Sequence, residues 1–326
     1  MRDKKQEAPI EIREILEGDA SVPVHRLYQL SDMTPGDMAK FVDIWPDLDD
    51  ERRRVVLRHM TDISEEDFLV DYSGIFAHCL ADPYPPVRVA ALDGLWDSER
   101  ISLILPILDM AKNDPDLEVR RQAAATLGHY IVLGQWDVIP LKYTEPIVEG
   151  LFSIIDNDAS DPPVRRAALE SISATPHEKV HGLIEEAYDS GDIKMQISAV
   201  FAMGQSADTR WLPIIRDEMQ SPYEDMRIEA VRAAGSIGKS ELIADVADLV
   251  TDDDLEVSLA AIAALGEIGT TEGQKILLDL ADDPYLEDLH SAIGEALEQL
   301  SWLDDGFYFD GLDWNDDSDD SNYAEL

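Results

Sequence analysis

The stretch DPDLEVRRQAAATLG, Asp114–Gly128, opens with turn residues and then places Val119, Ala123 and Leu127 four positions apart. Apolar residues at that spacing form one face of a helix. The Asp-Pro pair ahead of them is helix-start chemistry. The same text recurs as DPYPPVRVAALDGL (82–95), DPPVRRAALESI (161–172), DIKMQISAVFAMG (192–204), YEDMRIEAVRAAGSIG (223–238) and DDLEVSLAAIAALGEIG (253–269). Equivalent positions Val87, Val119, Val164, Met195, Met226, Val257 and Leu289 are separated by 32, 45, 31, 31, 31 and 32 residues. A nearly fixed period of this length marks a repeat array.

A second helical pattern follows the first within a unit, as in ISLILPILDMA (101–111), WLPIIRDEMQ (211–220) and LIADVADLV (242–250). Two helices per unit stack closely only where side chains are small, and Ala90, Ala91, Ala123, Ala124, Ala167, Ala168, Ala233, Ala260 and Ala261 supply that surface. Each pair then buries its apolar face against its neighbours. The expected fold is all-α, a right-handed α-α solenoid.

The Asp-Pro turn followed by V-R-x-x-A-x-x-A-L-G resembles HEAT repeats, in particular the short bacterial HEAT-like type also seen in phycobilin lyases. The resemblance is good from Asp82 to about Leu300 and weaker before it. ERRRVVLRHM (51–60) and VPVHRLYQL (22–30) look like degenerate amino-terminal units, as terminal caps of arrays do. The expected organisation is an N-terminal flank (1–20), degenerate helical cap repeats (21–80), HEAT-like repeats (81–301) with an insertion near 129–150, and an acidic aromatic tail (302–326), at least partly disordered. In HEAT-like units an arginine at one repeat position bridges adjacent turns. Arg88, Arg120, Arg165 and Arg227 hold that position, near Asp82, Asp114, Asp161 and Asp225; the pattern is interrupted at Gln196 and Ser258.

Charge bounds the partners. The chain has 69 acidic and 26 basic residues, a formal charge of −43 in 326 residues. Such a field repels phosphate backbones, anionic membranes and acidic ligands and attracts basic proteins and divalent cations, so neither nucleic acid nor membrane is an expected partner. Asp-rich, Lys-poor composition also fits adaptation to high salt, where repulsion is screened. Cys79, the single cysteine, allows no intrachain disulfide. The start MRDKKQEAPIEIREIL lacks a signal-peptide apolar run, and a cytoplasmic location is the expectation.

Two features point toward chemistry. HEKVH, His177–His181, fits the zincin pattern H-E-x-x-H, in which two histidines one turn apart hold zinc. In register it falls on an ordinary turn-to-helix junction, matching DSERIS (97–102), ADTRWL (207–212) and KSELIA (239–244), none with a His-Glu-His set. His177 and His181 are therefore weak metal candidates, and no cofactor is expected. Deoxyhypusine hydroxylases resemble this architecture but distribute several His-Glu pairs among repeats; here only His177-Glu178 has that form. HEAT-like DNA glycosylases use a basic concave surface, and this chain has no sustained Lys/Arg stripe.

The inserted GHYIVLGQWDVIPLKYTEP (128–146) carries His129, Tyr130, Trp136 and Tyr143, which either line a binding surface or pack over the solenoid. The tail holds nine acidic residues with no Lys or Arg, and Phe307, Tyr308, Phe309 and Trp314 among them. It suits a basic partner, or folds back to cap the last helix pair. The functional expectation is a non-enzymatic protein-binding scaffold or assembly adaptor for proteins with basic surface. It would use this tail and the first-helix residues Arg121, Gln122, Arg166, Glu170, Glu229 and Arg232. The alternatives are a metal- or small-ligand-dependent HEAT-like enzyme such as a lyase, and a salt-adapted structural repeat protein.

Overall fold

The computed structural model describes residues 12–17, 22–157 and 159–304. The fold is all-α, a right-handed solenoid of stacked helix pairs, with no strand among the described residues. It divides between Thr209 and Arg210 into two compact units. The first holds α1 (Ile12–Glu17), α2 (Val24–Leu27), α3 (Pro35–Ile44), α4 (Asp50–Glu66), α5 (Ser73–Cys79), α6 (Pro85–Asp93), α7 (Ile104–Asn113), α8 (Leu117–Gln135), α9 (Glu145–Ile155), α10 (Pro162–Ile172), α11 (Glu178–Tyr188) and α12 (Ile193–Gln205). The second holds α13 (Leu212–Glu218), α14 (Glu224–Ile237), α15 (Ile243–Asp248), α16 (Leu255–Ile268), α17 (Thr271–Ala281) and α18 (His290–Asp304).

In the first unit the leading helices of successive pairs form one layer: α6 packs on α8, α8 on α10, and α10 on α12. In the second unit α14 packs on α16 and α16 on α18. The four-residue stripe is what they bury. Val119, Ala123 and Leu127 of α8 are fully enclosed, as are Ala168 and Ile172 of α10 and Val257, Ala261 and Leu265 of α16. Burying a side chain of Val or Leu size contributes about 1.5–3 kcal/mol, while the alanines allow backbones to approach.

The turns supply the starts. Asp116 accepts from the amides of Glu118 and Val119, Asp192 from those of Lys194 and Met195, and Asp254 from those of Glu256 and Val257. Each satisfies amide groups that the helix itself leaves unpaired. Proline opens α6 and α10, where its missing N–H costs nothing. The long spacing between Val119 and Val164 goes mostly into α8, which runs 19 residues against nine for α6 and 11 for α10. On that extension Tyr130 is wholly buried, its hydroxyl 3.4 Å from the Arg100 carbonyl. Trp136, just past its end, is 73% exposed. The insertion thus both packs inward and presents a ring outward.

Candidate functional site

The repeat-position arginines form a ladder whose rungs can be compared one by one. Arg88 grips Asp114 with two parallel bonds, Nε to Oδ2 at 3.0 Å and Nη2 to Oδ1 at 2.7 Å, while Nη1 reaches the Asp82 carbonyl at 2.8 Å. In the second unit Arg227 does the same with Asp252, at 2.9 and 2.8 Å, and with the Ser221 carbonyl at 3.0 Å. Its partner is therefore the aspartate of the following turn, not Asp225. Donation by Arg227 holds the Asp252 carboxyl below its ordinary range and raises the guanidinium. Arg120 makes one such bond, Nη2 to Asp161 Oδ2 at 2.6 Å, and takes the Asp114 carbonyl at 2.7 Å. Arg53 in α4 adds a rung at the amino-terminal end, on Asp82.

Arg165 departs from this set. Its Nε is buried with no hydrogen-bond acceptor, and it forms no ion pair among the described residues. The cause is legible in the turn. Asp114 and Asp252 each accept the amide two residues on, at 2.9 Å, while holding the arginine of the preceding repeat. Arg227 reaches 25 residues on to Asp252, and the residue standing 25 after Arg165 is Ser190. Its Oγ makes the equivalent turn bond, accepting the Asp192 amide at 3.3 Å. A hydroxyl keeps the turn and omits the carboxylate. Gly191 follows with φ +74, the left-handed conformation that glycine adopts without steric cost.

At this rung α9, α10, α11 and α12 enclose a groove of about 690 Å³, within the ~300–1,000 Å³ usual for ligand sites. Ile155, Leu169, Leu183 and Met195 give it apolar walls, and Arg165, Arg166 and Lys194 face it as cations without an ion pair among the described residues. Asp156 and Glu186 also line it, and Asp192 is occupied in capping α12. The neighbouring rung is an internal control. A cavity of about 610 Å³ surrounds Arg120, but that arginine already holds Asp161.

The other residues singled out from the sequence are dispersed. Arg121 pairs with Glu118 in its own helix at 2.8 Å, and Gln122 donates to Asp93 at 3.3 Å. Glu170 accepts from Ser198 at 2.5 Å; Glu229 and Arg232 lie in the second unit, 3.9 Å apart. Of the six, Arg166 alone lines the groove. Phe307, Tyr308, Phe309 and Trp314 lie outside the described residues. His177 is the N-cap of α11, its Nδ1 accepting the Lys179 amide at 3.2 Å; His181 Nε2 sits 3.1 Å from Asp208. The two histidines of HEKVH thus serve separate local contacts. Among the described residues no group of three or more His, Cys, Asp or Glu is placed to hold a metal ion.

A second surface was not anticipated. In the loops after α4 and α6, Phe68 is 79% and Leu69 89% exposed, and the Phe68 ring packs edge-on against Trp96 at 6.4 Å. Asp67, Asp71, Asp97 and Glu99 stand within three residues of these rings.

Comparison with known proteins agrees with this architecture. Residues 180–253 and 212–298 match the family profile of HEAT repeats. The sequence matches no curated protein at a significant level. Among solved structures, the complex of the two subunits of phycocyanin lyase from Nostoc is similar with a TM-score of 0.50 and 16% identity, over 71% of this chain and 95% of that one. YibA of Escherichia coli is similar with a TM-score of 0.44 and 18% identity, over 86% and 97%. Human deoxyhypusine hydroxylase, in complex with glycerol, follows at 0.37 and 15%, over 82% and 99%. The chain has a HEAT-like α-solenoid repeat fold. No helix among the described residues is long and apolar enough to cross a membrane.

Proposed function

We propose that this HEAT-like chain is a ligand-binding protein whose working site is the groove of α9–α12. The observation that carries the reading is the co-location of an apolar-walled cavity of about 690 Å³ with three cations that have no ion-pair partner among the described residues. In a chain with 69 acids and 26 bases, three cations lining one groove depart locally from the composition. The role is recognition, with charge and shape holding the ligand. A HEAT-like lyase acting on the same ligand is the enzymatic form of this reading. A fragment screen by thermal shift on the full chain, repeated on Leu183→Trp, tests the site. Hits that vanish in the variant are expected; hits that persist unchanged, or no hits, would remove the groove from consideration.

The exposed Phe68–Trp96 edge supports a second reading, docking of a basic protein. Its rings offer apolar area and stacking for arginine, and the nearby carboxylates with the chain's net charge of −43 supply the attraction. Captured basic protein should be lost from Phe68→Ser/Leu69→Ser at both low and moderate salt. Unchanged capture would discard this surface.

A further inference from the structure

The ladder names the chemistry that the Arg165 rung lacks among the described residues. At two rungs an arginine closes bidentately on a carboxylate from the next turn, the geometry for which the planar guanidinium is matched. At the Arg165 rung the same turn is built, with Ser190 in the acid's place, and the arginine's buried Nε finds no acceptor among the described residues. Arg53 Nε is likewise without a hydrogen-bond acceptor, but its guanidinium holds Asp82, so what marks the Arg165 rung is that it has no carboxylate among the described residues. The site where the aspartate would stand opens into the groove, because Ser190 and Arg165 both line it. Arg120, with its own cavity, has its carboxylate; Arg165 has none among the described residues.

Resting on the groove as the working site, we propose that its ligand is a small free carboxylic acid with an apolar body, whose carboxylate completes the rung by pairing with Arg165. Ser190 leaves the space for that carboxylate, and Leu169, Leu183 and Met195 receive the body. The bounded volume, about 690 Å³, suits a whole small molecule rather than a segment of chain. Lys194 and Arg166 line the same groove and offset Asp156 and Glu186, which line it too, so the selectivity for an anion rests on the pairing with Arg165. The chain's negative field opposes an anion at long range, but at ~0.15 M salt it is screened beyond about 8 Å, and the local pairing then decides.

The test uses the full chain, with guanidinium Nε–H signals of arginine and methyl signals of Leu and Met followed by NMR at 0.15 M salt. Octanoate is the probe, octanamide its neutral counterpart, and acetyl-Gly-Ser-Ala-Leu with a free carboxyl terminus the chain-end alternative. Octanoate is expected to shift Arg165 Nε–H together with the Leu183 and Met195 methyls, and to bind at least tenfold more tightly than octanamide. Ser190→Asp supplies the missing carboxylate from within. It should raise the melting temperature while weakening octanoate tenfold or more, and Arg165→Gln should weaken it similarly. The rise in melting temperature shows that the aspartate variant folds.

Octanamide binding as tightly as octanoate, with Ser190→Asp indifferent, would overturn the carboxylate assignment and leave the groove as a neutral-ligand site. Response to the peptide alone would overturn the free-acid assignment. Silence toward all three probes in a groove that still binds uncharged fragments would overturn the inference by itself. Silence toward fragments as well would take the groove reading with it.

Discussion

Asp82→Ala is expected to destabilise the amino-terminal end of the array by about 3–5 kcal/mol, the usual cost of removing one partner of a buried ion pair. The Asp82 side chain is 2% exposed and that of Arg53 6%. One carboxylate ties three segments together. Oδ2 accepts the Trp45 indole N–H at 2.9 Å, while Oδ1 accepts Arg53 Nη2 at 3.2 Å and the Tyr84 amide at 2.9 Å. Arg53 Nε also lies 3.0 Å from Oδ2, too far off line to count as a hydrogen bond, so that contact is purely ionic. Alanine would strand the guanidinium on Asp50 and the Leu48 carbonyl, and leave the indole and the Tyr84 amide without an acceptor.

Because each repeat in such an array depends mainly on its neighbours, the loss should be local. Hydrogen exchange in α3 and α4 should accelerate by about two orders of magnitude or more, given that 1.4 kcal/mol is tenfold, while α10–α12 stay protected. An apolar pair of similar volume, Arg53→Met/Asp82→Leu, should recover the part of the loss that comes from the stranded guanidinium, while the Trp45 indole and Tyr84 amide stay without that acceptor. A single-variant cost below about 1 kcal/mol would show that the pair is not the clamp its geometry describes.

That clamp also shows what was legible beforehand. The period of Val119, Ala123 and Leu127 reports burial directly, since a helix face needs only the spacing of apolar residues. The layered fold follows from it. The ladder was readable as far as the arginines, because a repeat displays them in one column. Which carboxylate each takes depends on the turn of the next repeat, and the column that matters is Asp82, Asp114, Asp161, Ser190, Ser221 and Asp252. Reading Asp161 and Asp225 as neighbours of Arg165 and Arg227 hid the absence of an acid at Ser190. Arg53 escaped because the first units have drifted from the repeat text. Exposure of Phe68 and Leu69 could not be read at all, since an apolar residue in a loop is silent on whether it folds inward.

The second large effect sits beneath that exposed edge. Gly94 ends α6 and is buried against Phe76, so that a Cβ there would fall inside the ring's van der Waals envelope. Phe76 has no room to yield: it is 1% exposed and packs edge-on against the equally buried Tyr72 at 6.3 Å. Gly94→Ala is expected to cost about 1–3 kcal/mol as an overpacked core does, or about 2–4 °C of melting temperature per kcal/mol. Gly182→Ala is the matched control. Nothing lies within 4 Å of its added methyl, and mid-helix in α11 it should stabilise by about 0.5–1 kcal/mol. The turn that Gly94 begins carries Trp96 to its contact with Phe68, so relief of the clash must move the edge. If that edge docks a basic protein, Gly94→Ala should weaken capture at temperatures where the chain is still folded, and Gly182→Ala should not. Equal capture by both would separate the packing role of Gly94 from any role of the rings in recognition.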